Sequence, residues 1–198
     1  MTNPIIHYFF VQSPWSYFGF RRAVDIAARH GVKILHKPVR AAEIWKHGGG
    51  VPLAQRPKPR QEYRLLELAR WRDLLGLPLN LQPASFPVDE TLAAKTIIAV
   101  LQDGGNADLL IETLMGDIWA RERNIADPAI IREALSASHL DTGYLDQASN
   151  DDIDAVYTAN TEAAKADNIF GVPTYFANGE MFWGQDRLDF VDRALMQK

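Results

Sequence analysis

The chain has 198 residues, of which 47% are apolar and 23% charged, the balance of one globular domain with room for an insertion. That composition excludes disorder, collagen and a bare coiled coil, and no apolar run reaches the roughly 20 residues of a membrane-crossing helix. A net charge of −4 gives no overall grip on nucleic acid, and the absence of cysteine removes disulfides, thiolate metal sites and cysteine nucleophiles. Met1-Thr2-Asn3-Pro4 carries no basic region and the apolar run after it is too short for a secretory signal, so a cytoplasmic protein is expected.

Ile5 to Val11 is a short apolar and aromatic run that reads as a buried strand. Ser13-Pro14 pairs an N-cap residue with a first-turn proline and starts a helix that Gly31 ends after His30. Val32 to Val39 reads as a second strand, broken by Pro38. Gly48-Gly49-Gly50 opens a loop, and Arg56 to Arg60 is basic and proline-punctuated. Tyr63 to Leu75 has helical spacing, with Tyr63, Leu66 and Leu74 as its expected apolar face. After a proline-rich connection over 77–87, helices are expected at 91–101, 106–120, 128–136 and 151–167. The end of the chain returns to strands. Thr174 to Ala177 and Glu180 to Trp183 flank Asn178-Gly179, a strong type I′ hairpin signal, and a last amphipathic helix runs from Arg187 to Met196.

The order is β-α-β, a helical insert, then β-β-α, an α/β fold of thioredoxin type. Residues 1–40 and 168–198 would form the thioredoxin-like domain, and 41–167 an all-helical inserted domain. In that arrangement a Cys-x-x-Cys sits where strand one meets helix one. Here the position holds Ser13-Pro14-Trp15-Ser16, and Val172-Pro173-Thr174 matches the cis-proline opposite it. A cis-proline leaves the preceding backbone groups free to meet an extended ligand.

Three motifs carry a resemblance that spans nearly the whole chain: Ser13-Pro14-Trp15-Ser16-Tyr17, Phe170-Gly171-Val172-Pro173-Thr174, and Phe182-Trp183-Gly184-Gln185-Asp186-Arg187-Leu188. The sequence resembles DsbA-like thioredoxin-fold proteins. Within them it is most similar to the 2-hydroxychromene-2-carboxylate isomerases and kappa-class glutathione transferases. The resemblance implies glutathione as cofactor, a small aromatic carboxylate as substrate, and a homodimer. Ser13 would face the glutathione sulfur, Val172 beside Pro173 would meet its cysteinyl part, and Gln185 with Asp186 would hold the γ-glutamyl end. Family members often carry an asparagine in the loop that Gly48, Gly49 and Gly50 fill here. Arg56 and Lys58 are the candidates for meeting a carboxylate, and Trp15 for walling an aromatic pocket.

The chemistry of the residues suits that branch. Without cysteine there is no thiol–disulfide exchange. A hydroxyl at a helix N-terminus can instead stabilise a bound anion, together with free backbone N–H groups. A free thiol has a pKa of roughly 8.5, and lowering it by about two units takes roughly 2.7 kcal/mol of differential stabilisation. One charge-assisted hydrogen bond with a helix N-terminus is of that size.

Each of these residues also has a plainer role open to it. Ser13 reads as an N-cap, Pro173 as an edge-strand proline, Asp186 as a helix cap, Trp15 as core, and Arg56, Lys58 and Arg60 as a solvated loop. The histidines show no metal-ligand spacing, and no metal is assigned. The expected activity is glutathione-dependent isomerisation of a 2-hydroxychromene-2-carboxylate-like compound to trans-o-hydroxybenzylidenepyruvate. The alternatives are a kappa-like transferase that consumes the thiol and a redox-inactive binding module.

Overall fold

The computed structural model describes residues 3–196. β1 (Ile5–Phe9), β2 (Ile34–Pro38), β3 (Thr174–Ala177) and β4 (Glu180–Trp183) form one sheet in the order β2-β1-β3-β4. β1 runs parallel to β2 and antiparallel to β3, and the hairpin β3–β4 supplies the antiparallel edge. Central β1 carries apolar residues on both faces because both are covered.

One face packs on α1 (Pro14–His30) and α9 (Leu188–Met196), with Ile5, Ile26, Tyr175 and Leu188 in its core. The other packs on α2 (Ala41–His47) and α8 (Asp151–Ala166) through Tyr8, Phe10, Ile44 and Ala164. The largest apolar cluster joins Phe9, Val11, Tyr17, Phe18 and Phe20 to residues of α3 (Lys58–Leu75), α4 (Thr91–Gln102), α5 (Asp108–Trp119), α6 (Pro128–Ala137) and α8. The one-turn helix α7 (Tyr144–Gln147) adds Leu145. None of the helices among the described residues is long and apolar enough to cross a membrane.

The caps expected for α1 are in place, and α6 has one of the same kind. Ser13 and Asp127 accept from first-turn N–H groups of α1 and α6, and Gly31 closes α1 at φ 62°. α2 and α7 fall inside the expected helical insert, in stretches to which the sequence reading assigns no element, both too short for a periodic signal. Two readings are corrected, both on α3. α3 begins at Lys58 rather than Tyr63, because Pro59 in the first turn costs no hydrogen bond there. The buried face of α3 is Leu65, Leu68, Trp71 and Leu75, whereas Tyr63, Leu66 and Leu74 are 55–73% exposed. Both stripes satisfy the 3.6-residue period, so the helix pattern alone does not choose between them.

Candidate functional site

The site grows from the turn that joins β1 to α1. Ser13 has extended backbone (φ −77°, ψ 123°), and its Oγ accepts the Ser16 N–H at 3.2 Å. Accepting that bond leaves the hydroxyl proton free to donate outward, and no acceptor takes it among the described residues. The first turn of α1 contains no acidic side chain, so the positive end of its dipole is not neutralised from within. Ser13 is only 7% exposed, which keeps the local dielectric low.

Across from the turn, the β1–β3 register pairs Tyr8 with Thr174. Continuing it by two residues brings Val172 beside Phe10, and both belong to one apolar cluster. The Val172–Pro173 peptide is cis. The segment is pinned on either side of Val172: Thr174 Oγ1 donates to Gly171 O at 2.7 Å, and Gly184 N–H donates to Pro173 O at 2.8 Å. Val172 itself has no backbone hydrogen bond among the described residues. The glycine loop lies against the same segment. A Cβ on Gly48 would stand 2.5 Å from Phe170 Cβ, so no side chain fits there.

The remaining sequence-derived candidates separate. Gln185 is buried under α1, where Arg22 holds both its Oε1 (2.8 Å) and its backbone carbonyl (3.1 Å). Asp186 is exposed, and its carboxylate pairs with Arg187 at 3.1 Å. Trp15 is partly buried and packs on the main core beside Phe18. Lys58 is 86% exposed and faces only Glu62. Arg56 is half-buried and donates to Val51 O at 3.0 Å; burial, then Arg60, lowers its pKa.

Two further residues connected to this region have no signal in the sequence. Glu90 caps α4 and is 5% exposed, directly beneath the turn. Its carboxylate accepts the Gln12 N–H at 2.8 Å and the Gln12 amide at 3.3 Å, while Gln12 Oε1 accepts the Val88 N–H at 3.3 Å. Burial pushes the Glu90 carboxyl up to about 7, against the pull of its hydrogen bonds to Gln12 and Val11. Arg64, on α3, stacks over Phe86 at 5.4 Å and Trp119 at 5.8 Å. Glu90 meets the turn only through contacts distant in sequence, and Arg64 is linked to it only indirectly, through Phe86 in the segment that also carries Val88 and Glu90. His7 and His36 also interact, Nδ1 to Nδ1 at 2.9 Å, and His36 Nε2 reaches Asp108 at 3.0 Å. Burial, then His36, holds His7 neutral.

A helix N-terminus bearing a free hydroxyl, opposite a cis-proline on a four-stranded mixed sheet, defines a thioredoxin-fold protein without redox cysteines. The family description "DSBA-like thioredoxin domain" matches residues 4–196, and the chain belongs to that family. Among named relatives, 2-hydroxychromene-2-carboxylate isomerase of Sphingobium xenophagum is 28% identical over 198 residues, covering 99% of this chain and all of the relative. Glutathione S-transferase kappa 1 of Rattus norvegicus is 24% identical over 203 residues, covering 95% and 88%. A solved 2-hydroxychromene-2-carboxylate isomerase structure superposes with a TM-score of 0.79 at 25% identity, covering 98% of this chain and 95% of the other. The chain is thus similar to isomerase-type and transferase-type members of this fold family.

Proposed function

We propose that the protein is a glutathione-dependent isomerase of a 2-hydroxychromene-2-carboxylate-like compound, with Ser13 as the group that stabilises the thiolate. The observation that carries this reading is the Ser13 hydroxyl: its oxygen is held by the Ser16 N–H while its proton stays free at an uncompensated helix N-terminus. Glutathione would supply a thiolate that adds reversibly to the conjugated substrate, permits rotation about a carbon–carbon bond, and is released unchanged.

The chain's own residues fit that group. The Ser13 hydroxyl donates to sulfur, and the α1 dipole favours the same charge. The unbonded Val172 backbone, beside Pro173, offers one donor and one acceptor to an extended cysteinyl unit. Asp186, exposed past the end of β4, would share its carboxylate between Arg187 and an ammonium at the γ-glutamyl end. Gln185 supports that end from below, since Arg22 fixes it. Trp15, partly buried beside Phe18 at the first turn of α1, would wall the aromatic substrate. Arg56 meets a carboxylate better than Lys58, because its guanidinium is partly desolvated and Lys58 is not. A cytoplasmic location, expected from the N-terminal residues, and a homodimer, implied by the family resemblance, complete the reading; light scattering of the purified protein measures its mass in solution.

Calorimetric titration with reduced glutathione at pH 7.5 tests the reading. Wild type should release a proton on binding, S-methylglutathione should not, and Ser13→Ala should lose most of the proton release and lower isomerisation by about 100-fold. Unchanged isomerisation in Ser13→Ala sinks the proposal. The kappa-class relative favours a second reading, transfer at the same site. A glutathione conjugate accumulating in proportion to consumed substrate would select it.

A further inference from the structure

Most cations of this protein have a carboxylate. Arg121 and Arg123 share Asp117, Arg29 pairs with Asp192 at 2.8 Å, and Arg40 pairs with Asp154 at 2.9 Å. Arg64 has none: no carboxylate or carbonyl among the described residues takes its guanidinium in a hydrogen bond or ion pair. It lies partly buried against the faces of Phe86 and Trp119 instead. Burial, then the like charge of Arg56, pushes its pKa down to about 10. An aromatic face recovers only part of the hydration that a guanidinium loses on burial. The Trp119 indole N–H, whose ring that guanidinium covers, is also buried with no acceptor.

The position ties this cation to the β1–α1 turn. Phe86 is two residues from Val88, whose N–H is held by Gln12, and Gln12 immediately precedes Ser13. Glu90, two residues further on, holds the Gln12 N–H from the same segment. Residues 86–90 therefore carry the Arg64 platform at one end and brace the Ser13 turn at the other.

We propose that Arg64 is the anchor for the carboxylate of a flat aromatic ligand, a site distinct from the Ser13 sulfur position. The guanidinium offers a two-pronged donor fork that matches a carboxylate, and Phe86, still partly exposed beside it, offers an apolar edge to a conjugated ring system. The role of that ligand as the co-substrate of the thiolate rests on the glutathione reading above; the carboxylate site itself does not.

The test uses the full chain and two probes of one shape, 2-naphthoate and uncharged 2-naphthamide, titrated by calorimetry without glutathione. Wild type should bind the carboxylate at least about tenfold more tightly than the amide, the scale of one charge-assisted pair. Arg64→Met should erase that preference while leaving reduced-glutathione affinity within about twofold, and Arg64→Lys should keep part of the preference. Equal binding of the two probes by wild type overturns the proposal, and that result needs no variant to fold. A preference that survives Arg64→Met also overturns it. A loss of glutathione affinity in Arg64→Met, with naphthoate binding kept, reassigns the cation to glutathione's own carboxylate and overturns the aromatic site. If glutathione fails to bind wild type, only the thiolate reading falls and the naphthoate comparison stands.

Discussion

At the residue scale, the group with the largest leverage outside the hydroxyl is Glu90. It is 5% exposed, and burial, joined by the like charge of Asp89, disfavours its ionised form. Its folded-state pKa of about 7 lies above its ordinary value of 4.5, so the folded protein keeps a proton that the unfolded chain has released. The stabilising contribution of the neutral carboxyl is complete below about pH 4.5 and is lost as pH rises to about 7, a total of roughly 3 kcal/mol. Glu90→Gln removes the titration but keeps an acceptor for the Gln12 N–H. Urea unfolding of both proteins between pH 4.5 and 9 should show wild type losing stability relative to the variant as pH rises, with the difference flattening above about pH 8. A pH-independent difference would place the carboxyl pKa near its ordinary value. No spacing rule marks Glu90, because a capping residue in a proline-rich connection looks the same whether it faces water or the turn 78 residues earlier. Ser13, by contrast, is legible as a cap from local chemistry, and the cis Pro173 from its match to the thioredoxin arrangement, since next to a strand a proline by itself reads only as an edge residue.

At the element scale, α1 is both the best-marked helix and the most constrained. Its first turn, stop and apolar face all follow from adjacent residues. What the sequence does not carry is how closely β3 approaches it. A Cβ on Gly19 would stand 2.5 Å from the Tyr175 hydroxyl and 3.0 Å from Gln185 Cβ. Helix propensity alone favours alanine over glycine in a helix interior by about 1 kcal/mol. Overpacking of a buried contact costs about 1–3 kcal/mol and outweighs it. Gly19→Ala should therefore lower stability by about 1–2 kcal/mol, read as a lower urea midpoint with an unchanged slope. A gain in stability would mean that Tyr175 moves aside freely. The same limit explains α3. Its period was readable, but two apolar stripes share it, and only the packing of Leu68 into the main core shows which faces inward. The hairpin was readable in full because its turn chemistry sits on two adjacent residues, Asn178 at φ 52° and Gly179 at φ 82°.

At the scale of the whole molecule, the inserted helices and the sheet share a core. The largest cluster holds Phe9, Val11, Tyr17 and Phe18 together with Leu68, Ile97, Leu114 and Trp119. These residues come from both segments, with no solvent layer between them. Separating the two would expose the apolar faces of α1 and α4 at once, at roughly 25 cal/mol for each Å² uncovered. Local opening of the insert is therefore far costlier than the fraying of a loop, and the chain should unfold in one transition. Two probes check this in a single urea series. Trp71 and Trp119 lie on the helices and Trp183 lies at the sheet edge, so tryptophan fluorescence reports both regions, while far-UV circular dichroism is dominated by the helices. The two curves should coincide in midpoint and slope. A helical signal lost at lower urea than the fluorescence change would show that the insert opens by itself. Residues 86–90, which carry Phe86 and brace the Ser13 turn, would then separate from the sheet before the fold is lost.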